Sequence, residues 1–140
     1  MADYAVTSSS VAPGAGAIID NTRYAGVAIV AGQVAYLELS SNTYKVCNAS
    51  ASAPLSKAAG IALNSAAVGQ PVSVQTGGFI TITATPAFTT RSPLVASGAG
   101  AGNMAPAADL VTNIATWWPA VLGIPVSATS ILLQPLATQV

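Results

Sequence analysis

From Ala25 to Gln134 the chain consists of short runs in which apolar and polar residues alternate, and Gly, Pro, Asn or Ser closes almost every run. A period of two sends successive side chains to opposite faces of an extended strand, so these runs specify β-structure and leave no room for long helices. In Gln33–Leu39 the period sets Ala35, Leu37 and Leu39 on one face and Val34, Tyr36 and Glu38 on the other. Asn42 supplies a turn, and Thr43–Cys47 returns as the hairpin partner. Pro71–Thr76 places Val72 and Val74 inward, with Ser73 and Gln75 outward. Gly77-Gly78 then reads as a turn before Phe79–Thr83, where Ile80 and Ile82 share a face. Val121–Val126 and Ser130–Gln134 are the last expected strands. The one helix signal, Pro106–Asn113, amounts to one or two turns and opens on a proline. The expected fold is all-β: a small β-barrel or β-sandwich of short strands with at most one short helix.

Residues 1–24 differ from the rest. They are small and weakly apolar, lack a sustained period, and are punctuated by Pro13, Gly14 and Gly16. They are expected to form an extended N-terminal arm that docks through Tyr4, Val6, Val11, Ile18 and Ile19, leaving residues 25–140 as the β-domain. Within that domain a weak repeat relates residues 28–64 to residues 87–127. Val34-Ala-Tyr36 aligns with Pro93-Leu-Val95. After four extra residues around Thr116–Pro119, Ala59–Asn64 aligns with Leu122–Ser127.

Composition narrows the function. Four bases and four acids cancel, charged residues are 6% of the chain, histidine is absent, and Cys47 is the single cysteine. Histidine triads, histidine metal sites and internal disulfides are therefore excluded. No basic cluster exists to neutralise phosphates, so no nucleic-acid partner is expected. Mean hydropathy is +0.61, yet the longest charge-free apolar stretches fall short of the ~20 residues that a spanning helix needs. Nor does the opening Met-Ala-Asp-Tyr provide the basic region of a secretory signal. A nearly uncharged surface lacks the self-repulsion that keeps proteins apart, which points to obligate assembly with other subunits.

Chemistry is sparse. Asp3, Asp20, Glu38 and Asp109 show no spacing that pairs them for acid–base work, and Cys47 has no histidine to activate it. Gly14-Ala-Gly16 and Gly98–Gly102 lack the third glycine of a dinucleotide fingerprint, and no phosphate loop is present. Asn48-Ala-Ser50 matches a glycosylation sequon without a secretory context. The expected protein is not an enzyme and has no metal or cofactor. Interface anchors are better represented. Trp117-Trp118 is the sole tryptophan cluster, and adjacent residues of an extended segment cannot both face one core. Arg23 beside Tyr24, and Arg91 near Pro93, stand as isolated bases suited to contacts across an interface.

Val34–Leu37, Asn42–Val46, Ala58–Ser65, Gly69–Gly77, Ala105–Leu110 and Val121–Ile124 together resemble the head decoration, or capsid cement, proteins of tailed bacteriophages. The similarity covers most of residues 26–134 and excludes the arm. It implies a structural protein made in the host bacterial cytoplasm and carried on the outer surface of the virion head. The partners it implies are the major capsid protein and other copies of itself, as a homotrimer, with no membrane. An arm could add a strand to the capsid protein by β-augmentation, and removing residues 1–20 should then weaken attachment while the β-domain stays folded. The alternative is a tail, fibre or head-spike component binding host surface glycans through Trp117, Trp118 or Tyr36. A small hydrolase is the least supported reading.

Overall fold

A computed structural model describes residues 3–48, 50, 58–112, 116 and 121–135. Two short strands, β1 (Ala5–Val6) and β2 (Ala12–Pro13), flank a 3-10 turn at Ser8–Ser10 and lead into β3 (Ile18–Ala25). Next come β4 (Val34–Glu38), β5 (Thr43–Val46), β6 (Gly60–Ala62) and the eleven-residue β7 (Pro71–Thr81). The remainder is β8 (Ala84–Thr85), β9 (Leu94–Ala96), β10 (Met104–Pro106), helix α1 (Ala107–Thr112), β11 (Val121–Pro125) and β12 (Ser130–Leu133). The fold is all-β with one short helix.

Strand pairing closes a first ring. β3 runs parallel to β5, and antiparallel pairs β5–β4, β4–β6, β6–β7 and β7–β3 complete it. Ala25, Ile29, Ala35, Tyr44, Ala62, Ala66, Val72 and Val74 form its buried cluster. A ring of few strands has a narrow interior, and alanine supplies apolar contact there without the volume of a larger side chain. Alanine at four of these eight buried positions fits that narrow interior.

A second ring shares β7. The Phe79 end of β7 pairs with β12, β12 with β11, β11 with β9, and β9 with β10, all antiparallel. Closure uses the beginning of the chain: Tyr4 bridges Met104 beside β10, and β1 pairs with β8. Ile80, Ile82, Phe88, Leu94, Met104, Leu122, Ile131 and Leu133 are buried here together with Tyr4, in a cluster that continues onto Val34, Tyr36, Cys47 and Ile61. α1 follows β10 directly, and Ala107 packs on a small cluster of Val95 and Ala105 with Val121.

The two halves pair alike. Ala35 opposes Gly60 in the first and Leu94 opposes Gly123 in the second. These glycines are required by close approach: a Cβ on Gly60 would stand 2.0 Å from the Gln75 carbonyl oxygen, and one on Gly123 2.1 Å from that of Leu132. The Gly-Ile pair of the sequence repeat therefore marks the same tight strand crossing twice.

Three expectations are corrected. Gly77-Gly78 does not reverse the chain; β7 continues through it, with Gly78 at φ 80°, and passes from one ring to the other. The glycines serve as a bend because the partner strands change there, from β3 and β6 to β12 and β2. Gln75 is buried, its Nε2 donating to the carbonyls of Gly77 (3.0 Å) and Phe79 (2.7 Å) across that bend. Finally, the boundary expected between residues 24 and 25 falls inside β3, and the strands before it pair with the body of the chain, β1 with β8 and β2 and β3 with β7. Their backbone groups find partners within the chain: Tyr4 N donates to Met104 O (2.9 Å), Thr7 N to Thr83 O (2.9 Å) and Gly14 N to Phe79 O (2.8 Å). A strand so satisfied lowers its free energy by staying in the sheet.

Candidate interface

Because Ile80, Ile82, Ile131 and Leu133 fill the second ring, strand alternation sends Phe79, Thr81 and Leu132 outward. The register aligns them. Ile124 opposes Leu132 and Leu132 opposes Phe79, forming one apolar row across three strands. Directly opposed residues of antiparallel strands project to the same side. Ile124 is 44% exposed and Phe79 36%. Beside this row, Val126 N donates to Ser130 O, Ser130 opposes Thr81, and Thr81 opposes Ala12 of β2. Ile18, 63% exposed, lies over Gly77, where its Cδ1 would be 3.0 Å from an added Cβ. Neither row contains a charged residue. The sequence held a signal for this surface, since β7 and β12 carry apolar residues at both parities and so cannot hide them all on one face.

The residues expected at an interface separate into three groups. Tyr4 is a core residue: its ring centroid lies 4.9 Å from that of Phe88, tilted by 59°, and it is only 3% exposed. Val6 and Val11 pack against the same cluster. This corrects their assignment as arm contacts, because a half-closed ring offers them more apolar burial than solvent or a distant partner would. Ile18, Ile19 and Tyr24 are exposed on β3. Arg91 is exposed at φ 67°, its N–H donating to Pro125 O at the end of β11, which puts it near Val126. Trp117 and Trp118 lie outside the described residues. Tyr36, invoked for the glycan alternative, is buried.

Arg23 is committed within the chain. A bulge in β3 inserts a residue between Asp20 and Arg23, which oppose Val74 and Val72. The bulge brings the two side chains together: Arg23 Nη1 donates to Asp20 Oδ2, and Arg23 Nε to Asn42 Oδ1 (2.9 Å). The Thr22 amide (3.0 Å) and hydroxyl (2.7 Å) donate to Asp20 Oδ1, and Tyr44 Oη donates to Oδ2 (2.8 Å). Burial works to raise the Asp20 carboxyl, but the hydrogen bonds from Thr22, Tyr44 and Arg23 outweigh it and hold the group well below the usual carboxylate range. Burial and the Asp20 hydrogen bond push the Tyr44 hydroxyl up. Lys45 Nζ pairs with Glu38 Oε2 at 2.8 Å across the β4–β5 hairpin. That hydrogen bond lowers Glu38 and raises Lys45. Cys47 is buried, and burial pushes its thiol to about 12.

These charges serve structure. Among the described residues no cluster of three His, Cys, Asp or Glu side chains is placed to hold a metal ion, and no helix is long and apolar enough to cross a membrane. Among the described residues, the uncharged β-surface around Phe79, Leu132 and Ile124 offers an apolar face suited to recognition. Comparison with models of protein families, with curated proteins and with solved structures returned no match.

Proposed function

We propose that this chain is a phage capsid decoration protein that binds the outer surface of the head as a homotrimer and stabilises the lattice of the major capsid protein. The observation that carries the reading is the row Ile124–Leu132–Phe79, an outward-facing, partly exposed apolar surface on strands whose other face is buried in the core. The likeness of residues 26–134 to head decoration proteins supplies the identity of the partner. Burial of apolar surface, with no charge to desolvate, suits permanent attachment better than reversible binding of a charged ligand.

The mechanism is mass action. A protein that binds the assembled lattice and not its separated subunits stabilises the lattice by RT ln(1 + [L]/Kd), about 2.7 kcal/mol per site at a concentration of 100 Kd. Bridging several capsomers multiplies that gain through effective concentration. The test is to add the purified protein to bare heads and measure co-sedimentation and resistance to heat-induced DNA release. Binding with raised resistance is expected, reduced at least tenfold by Phe79→Asp. Heads that neither bind the protein nor gain resistance would overturn the reading.

A further inference from the structure

We propose that the slot between β8 and β10 is an acceptor for residues 3–6 of a second copy of this chain, so that copies link by exchanging segment 3–13. In the closed molecule the slot holds the chain's own segment. Ala5 opposes Thr85 and Val6 opposes Ala84. Ser97 Oγ donates to Asp3 Oδ1 (2.7 Å) and Asn103 Nδ2 to Asp3 Oδ2 (3.1 Å), while Ser10 Oγ accepts from Thr83 N (2.8 Å). Each of these partners lies between residues 83 and 103, more than seventy positions along the chain.

The slot reads side chains as well as backbone. It takes a buried aromatic at position 4 against Phe88 and a carboxylate at position 3, so the same segment from another copy restores every contact. Exchange of an identical element leaves the contact energy unchanged and is a low-cost route to an oligomer. Residues 14–17 join β2 to β3, with Gly16 at φ 68° and open space where its Cβ would be; exchange has to release or carry over the bonds that Gly14 N makes to Phe79 O (2.8 Å) and Phe79 N to Ala15 O (3.0 Å). β2 pairs with the same end of β7 that carries Phe79, so exchange brings the uncharged rows of two copies into proximity. Nothing in this inference depends on the capsid reading.

The test uses two full-length variants, Ala5→Cys and Thr85→Cys, refolded together at high concentration and oxidised. Opposed residues on antiparallel strands have Cα separations of about 4.5–5.5 Å, within disulfide reach, and buried Cys47 does not compete. Exchange predicts a disulfide-linked pair at roughly one junction in four for random pairing, and none when Val68→Cys, at an exposed position unpaired with residue 5, replaces Thr85→Cys. Absence of the linked pair, or an equal yield with Val68→Cys, overturns the proposal. The unsubstituted chain gives a second readout. Refolding at high concentration should yield oligomers that persist on dilution, and monomer alone at every concentration would equally overturn it.

Discussion

Replacing Tyr4 with alanine separates a docked strand from a free arm. Tyr4 is 3% exposed, and its ring meets Phe88 at 4.9 Å. A buried aromatic removes roughly 150–250 Å² from water, worth about 4–6 kcal/mol at 25 cal/mol per Å². A compact denatured chain lowers that figure, and measured aromatic-to-alanine changes fall at about 3–5 kcal/mol. The backbone bond from Tyr4 N to Met104 O survives the substitution, so the loss is confined to the ring. Against a total stability of about 5–15 kcal/mol this is a large fraction, and it should lower Tm by about 10 °C. Urea unfolding followed by circular dichroism measures it, with Ile18→Ala, at a 63% exposed position, as a control expected within about 0.5 kcal/mol. A loss below about 1 kcal/mol for Tyr4→Ala would refute the placement of this ring in the core. For the same reason, removal of residues 1–20 should unfold the second ring instead of yielding a folded, arm-less domain.

Asp20→Asn should cost about 1–3 kcal/mol at pH 7, since charge-assisted hydrogen bonds are lost. Because the folded-state carboxyl is held below its unfolded value of ~3.9, its contribution is present above that pH and is lost as pH falls further. The gap in urea midpoint between the two proteins should therefore narrow below about pH 4. Gly60→Ala and Gly123→Ala should each destabilise by more than about 2 kcal/mol, because the new methyl meets a strand carbonyl that cannot move freely. Comparable losses in thermal melts would support the matched crossings, and a neutral result at either site would count against them. Cys47 should resist a thiol reagent at pH 8 in the folded protein and react promptly in urea; fast native labelling would contradict its burial.

The sequence by itself determined the strand class and much of the strand placement, because a period of two is local information. Val34 and Ala35 do face different clusters, Thr43–Val46 does return against β4 around Asn42, and β11 and β12 do occupy the last two expected strand positions. Other features depended on partners far away in the chain. Gly77-Gly78 has the composition of a turn, and only the switch of neighbouring strands shows it to be a bend within β7. Gln75 belongs to a polar parity, yet the ring crossing buries it, and the carbonyls at the bend give its amide somewhere to donate. Tyr4 and Val6 look like an arm because no local period marks them. They are core residues because the second ring lacks a strand and the start of the chain supplies it. The outward-facing row of Ile124, Leu132 and Phe79 likewise arises from tertiary structure: alternation puts each residue on one side of its strand, but only ring closure decides which side is inside.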